Sequence, residues 1–121
     1  MTKAAALFNF WSGFGLTAYE ENSLPKSPEF PHITYQLITS GDLDHVTGSA
    51  SVWYRDASIV GINAKVEEIS QGIGDRVTLP CDGGAIIIRK GTPFSQPMGD
   101  DLDNMIKRRI LTVDYLFATK Y

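Results

Sequence analysis

The sequence predicts an α+β domain: a mostly antiparallel β-sheet of four to five strands with two helices packed on one side. Three observations carry that expectation. Ile59, Ile62, Val66, Ile69 and Ile73 recur at spacings of three and four, which places them on one helical face. Apolar residues alternate along 106–118, the period of a half-buried strand. Clusters of Gly, Pro and Asp separate the periodic segments. A length of 121 residues fits a single domain, 1–121, and the 43% apolar and 21% charged content is ordinary globular usage.

Residues 2–22 read as a helix, with Thr2 as its cap and Leu7, Trp11, Phe14 and Ala18 on one face. Gly13 and Gly15 disfavour that helix by about 1 kcal/mol each relative to alanine. The flanking Phe8 and Phe10 widen its apolar surface, for core packing or in part for a partner. Pro25, Pro28 and Pro31 then stiffen a connector over 23–32.

Ile33–Thr39 and Ser49–Tyr54 read as an antiparallel pair of strands around the polar loop 40–48. Asp56 or Ser58 caps the second helix, over about 58–71, and Gly72 and Gly74 stop it. Arg76–Cys81 and Ala85–Arg89 form a hairpin turning at Asp82, Gly83 and Gly84. Pro80 implies an edge position or a bulge in its partner. Ile86, Ile87 and Ile88 suggest a strand covered on both faces. Residues 90–104 lack periodicity and read as a long loop before the closing strand.

Composition excludes several functions. A net charge of −3 argues against a domain that binds nucleic acid by neutralising phosphates. One cysteine, Cys81, excludes an intrachain disulfide framework and a multi-cysteine zinc site. No apolar run approaches the ~20 residues of a membrane span, and the apolar N-terminus does not read as a secretory signal. The expectation is a soluble intracellular domain without a cofactor. Phosphate-loop and dinucleotide motifs are absent, as are HExxH and GxSxG. Asp100, Asp101 and Asp103 are the tightest acidic cluster, but their spacing is not that of a calcium loop and Lys107, Arg108 and Arg109 follow. Their simplest role is a solvated loop; magnesium at a subunit boundary is the alternative. Cys81 reads as a small half-buried apolar residue, His45 as solvated and His32 as packed at a strand start. No catalytic residue and no metal ligand is expected.

One ordered set of residues points further. Phe30-Pro31-His32-Ile33-Thr34-Tyr35-Gln36 follows the N-terminal aromatic segment. A Trp-bearing strand and an Ile-rich helix come next, and then Gly84-Ala85-Ile86-Ile87-Ile88-Arg89-Lys90-Gly91-Thr92-Pro93-Phe94, an Asp-containing loop, Lys107-Arg108-Arg109 and an apolar closing strand. Over nearly its whole length this order resembles the tail terminator proteins of long-tailed bacteriophages, also called tail-completion or tail-to-head joining proteins. Those proteins commonly carry Pro-Tyr-Ile-Thr-Tyr where this chain has Pro31-His32-Ile33-Thr34-Tyr35, so His32 departs from the pattern.

The resemblance implies a virion structural protein at the tail–head junction, assembled in the host cytoplasm, that performs no covalent chemistry. It implies a homo-oligomeric ring, typically a hexamer, on the head-proximal end of the tail tube. That ring stops polymerisation of the major tail tube protein and offers a docking surface to head completion or connector proteins. Genomic DNA would pass through without specific binding, and at −3 per subunit such a ring repels it. Head-to-tail closure needs two different patches on each subunit. The expected protein-interface residues are Leu43 in the 40–48 loop and Phe94, Met98 and Leu102 in the 90–104 loop, as apolar side chains on loops. Alternatives are another neck-ring component, a head–tail stopper or adaptor, and a small enzyme using His45 or the acids at 100–103.

Overall fold

The computed structural model describes residues 1–99 and 103–121. Thr2 caps the first helix, α1 (Lys3–Ser12), by accepting a hydrogen bond from the Ala5 N–H at 3.1 Å. The helix stops at Gly13, well short of residue 22. Its buried side chains are Ala6, Leu7 and Trp11. The chain then passes through Gly15, at φ 81°, where a residue without Cβ is at ease, and enters β1 (Thr17–Glu20).

That strand corrects the expected architecture. Among the described residues the sheet has six strands, not four to five, and it is mixed, because β1 pairs in parallel with β2 (His32–Tyr35). The Pro-rich connector makes the return crossing that a parallel pair requires. The other pairings are antiparallel, in the order β1-β2-β3-β6-β5-β4, with β3 spanning Asp44–Arg55, β4 Val77–Cys81, β5 Gly84–Gly99 and β6 Ile106–Thr119. Pro80 lies on β4, an edge strand, where its missing N–H breaks no ladder.

Parts of two expected loops also prove to be strand. β3 begins at Asp44, not Ser49, and pairs with β6 along its full length. β5 continues through the expected 90–104 loop as far as Gly99, after a bulge between Lys90 and Ser95. Beyond that bulge β5 pairs with β6 alone, and an outermost strand tolerates Pro97.

Both helices lie on the same face of the sheet. The core joins Leu7 and Trp11 of α1 with Ile62, Val66, Ile69 and Ile73 of α2 (Val60–Ile73). From the sheet come Ile33, Tyr35, Val52, Ile86, Ile88, Leu111, Val113, Tyr115 and Phe117. Each of these larger side chains contributes roughly 1.5–3 kcal/mol by leaving water. α1 touches β1 and β2 at one edge and β4 at the other, so the sheet curls around it. Trp11 anchors that arrangement: its ring stacks on Tyr35 and its Nε1–H donates to the Tyr115 hydroxyl at 3.3 Å. Ile87 points to the opposite, convex face and is only half-buried, so β5 is not covered on both sides.

Candidate functional site

β3 and β6 run antiparallel for twelve paired positions, so the molecule has two ends about 35 Å apart at ~3.3 Å per residue. Exposed apolar side chains gather at both. At the first end, Leu43 is 67% exposed in the turn that leads into β3. Asp42 and Leu43 have φ of 58° and 67°, left-handed values that cost a non-glycine residue about 1–2 kcal/mol. Three backbone bonds hold the turn there. Asp42 N–H donates to Thr119 O at 3.0 Å, Leu43 N–H to Phe117 O at 2.9 Å and Asp44 N–H to Gly41 O at 3.1 Å. Gly41 allows this close approach, because a Cβ there would lie 2.3 Å from the Tyr121 backbone.

At the second end, α2 begins beside the free ends of β5 and β6. The helix has no side-chain cap bond at Ile59; instead Asp56 accepts from the Ser58 N–H and Ser58 from the Val60 N–H. Ile59 belongs to the isoleucine stripe, yet it is exposed, while the other four are buried. Between Ile59 and the β5–β6 strands lies a groove of about 270 Å³, lined by Pro97, Met98, Lys107, Arg108 and Arg109 among others. Met98 is 47% exposed. Arg109 donates to Asn63 Oδ1 at 2.6 Å and Ser95 Oγ at 2.9 Å, which ties the β5–β6 arm to α2. Among the described residues, none of the three basic side chains forms an ion pair.

The expected interface residues thus separate. Leu43 and Met98 are exposed at opposite ends. Phe94 sits in the β5 bulge, half-buried against the core, with the Lys90 ammonium over its ring at 6.0 Å. Leu102 lies outside the described residues, as do Asp100 and Asp101. Asp103 pairs with Arg55 at 2.8 Å. The Met105 N–H, and then Arg55, hold its carboxyl below the usual carboxylate range against the opposing effect of burial. Among the described residues no cluster of three metal-ligating side chains occurs, and no helix is long and apolar enough to cross a membrane. Cys81 is half-buried in β4 and His45 is exposed in β3.

A row of side chains crosses the convex face of the sheet, and residue-by-residue reading does not find it. His32, Trp53, Arg108 and Met98 occupy successive register positions on β2, β3, β6 and β5. The Arg108 guanidinium lies over the Trp53 ring and reaches Ser51 Oγ at 3.1 Å. Trp53 stacks on His32 with centroids 6.0 Å apart and donates to Thr34 Oγ1 at 2.9 Å. His32 is 2% exposed, enclosed also by Tyr19 and Phe30, and burial pushes its pKa below 6.5 against a bond to Glu29 O that raises it. Only the strand register brings these residues together.

Neither the protein families nor the curated proteins compared with the chain include a match to it.

Proposed function

We infer that this chain is a ring-forming structural protein that caps the head-proximal end of a phage tail tube. The motif order of the sequence supplies the tail-terminator reading. The observation that carries it further is the pair of dissimilar exposed apolar ends, one around Leu43 and one around Ile59 and Met98, on opposite ends of one rigid sheet. A subunit that joins a closed head-to-tail ring needs two unlike patches, and such a pair supplies them. The convex-face row fits the same reading. His32 stands where those proteins commonly carry tyrosine, and it too is a ring, one that stacks on Trp53.

A cap works by contact alone: one face matches the last tube ring and the other accepts no further tube subunit. The direct test is co-sedimentation with preassembled tail tubes and, separately, with portal complexes. Saturable pelleting with tubes at one copy set per tube end supports the reading. Pelleting with portal alone would move the protein to a stopper or adaptor role, and pelleting with neither would remove it from the neck.

A further inference from the structure

Rings from three elements enclose the buried His32: Tyr19 of β1 at 5.8 Å, Trp53 of β3 at 6.0 Å and Phe30 of the Pro-rich connector at 4.8 Å between centroids. Nothing around the imidazole compensates a positive charge. Tyr19 presents a neutral ring, and the Thr34 hydroxyl of β2 already accepts from Trp53. The Arg108 guanidinium of β6 lies over the same indole and opposes a second cation there. Among the described residues no carboxylate pairs with His32. Glu29 is exposed and meets the ring through its carbonyl oxygen, which accepts from Nδ1–H at 3.0 Å. A charged imidazole in this enclosure lacks the water it needs, so protonation requires one of the three rings to move.

The three rings are not held equally. Trp53 is fixed by Thr34 and Arg108, and Tyr19 lies on a strand paired with β2. Phe30 belongs to a connector that is exposed from Glu21 to Pro31, apart from half-buried Pro28 and Phe30. Among the described residues, the bond from His32 to Glu29 is the one hydrogen bond made anywhere between Leu24 and Phe30. Lifting that stretch sacrifices little burial and few bonds, the property of segments that open without global unfolding. Ile33 and Tyr35, next along β2, are packed in the core and hold the strand in place.

We propose that His32 is an acid-sensitive latch: the neutral imidazole holds Glu29 and Phe30 against the sheet, and its protonation releases residues 24–30 while the sheet stays folded. Phe30 is the lid. The latch is closed above about pH 6.5 and opens as pH falls through the folded value of His32, which burial places lower. Opening exposes the Phe30 ring, so acid uncovers an apolar side chain on the convex face.

Nuclear magnetic resonance on the full chain tests it, with Overhauser contacts between rings and the His32 titration as readouts. The Phe30–His32 contact should disappear between about pH 7 and 5, in step with protonation of the imidazole, while the Trp11–Tyr35 contact of the core persists. Phe30→Ala removes the lid and lets water reach the ring, so the pKa of His32 should rise by ~0.5 or more. His32→Phe keeps a ring that cannot be protonated, and its contact with Phe30 should be the same at both ends of that range. An unchanged His32 pKa in Phe30→Ala, or a Phe30 contact that survives protonation, would overturn the proposal. So would a Phe30 contact that fades equally in His32→Phe, or a His32 that stays neutral until the Trp11–Tyr35 contact is lost with it.

Discussion

Arg108 on β6 lays its guanidinium over the ring of Trp53 on β3, 4.5 Å from the ring centroid. The same indole is fixed from its other side by His32 and at its edge by Thr34, so one cation closes a packed row across the uncovered face of the sheet. A half-buried contact of this kind is worth about 0.5–2 kcal/mol. We expect Trp53→Ala to cost about 2–3 kcal/mol and Arg108→Ala about 1–2 kcal/mol in urea unfolding. Their double-mutant cycle should show coupling of at least ~0.5 kcal/mol. Additive losses would mean the stacked cation contributes nothing.

His32 makes stability depend on pH. Burial holds its folded pKa below the ordinary 6.5, so the unfolded chain takes up the proton first as pH falls. The contribution is therefore fully present above about 6.5 and is lost as pH drops toward the folded value. His32→Phe keeps a ring against Trp53 and cannot be protonated. The melting temperature of wild type minus that of His32→Phe should be constant from pH 8 to 7 and fall between pH 6.5 and 5. A difference that ignores pH would show that His32 is protonated as easily folded as unfolded.

Tyr115 shows the opposite sign at high pH. Burial pushes its phenol up to about 12, against the Trp11 hydrogen bond that lowers it. The unfolded phenol ionises near 10, so this contribution is present below pH 10 and declines as pH rises toward 12. At neutral pH, Tyr115→Phe should cost about 1–2 kcal/mol, because the Trp11 Nε1–H is left without its acceptor in the core. Denaturant midpoints measure the loss.

The β4–β5 turn has no room for a side chain at Gly84. Its φ is 153°, and a Cβ would lie 2.1 Å from the Ala118 carbonyl oxygen. Gly84→Ala should destabilise by at least ~2 kcal/mol, through strain and displaced backbone together. A methyl group on Gly99 would meet nothing within 4 Å, so Gly99→Ala should stay within about 0.5 kcal/mol of wild type. Thermal melts of the two variants compare them directly.

The parts of the fold that the sequence reveals are those where local pattern and packing agree. The isoleucine stripe of α2 and the alternation of β6 are strong enough to read alone. β1 hides because Ala18 continues the spacing of Leu7, Trp11 and Phe14, while the breaking residues, Gly13 and Gly15, are tolerated singly in helices. Phe14 does reach the core, but from the turn after α1. The outer half of β5 hides behind Pro93 and Pro97, and only an unpaired flank makes a proline acceptable there. At the candidate site, exposed Leu43 and Met98 are legible as apolar residues in polar stretches. Their separation to opposite ends is not, since it follows from the long β3–β6 register. The Trp53 row depends on that register too.

Growth of tail tubes in the presence of the protein tests the central claim most directly. Purified major tail tube protein polymerised with increasing amounts of this chain should give progressively shorter tubes in electron micrographs, each with a ring at one end only. Leu43→Gly, which removes the exposed side chain at one of the two ends, should require a higher concentration for the same shortening. A length distribution that stays the same at every ratio, with bare ends, would contradict the account.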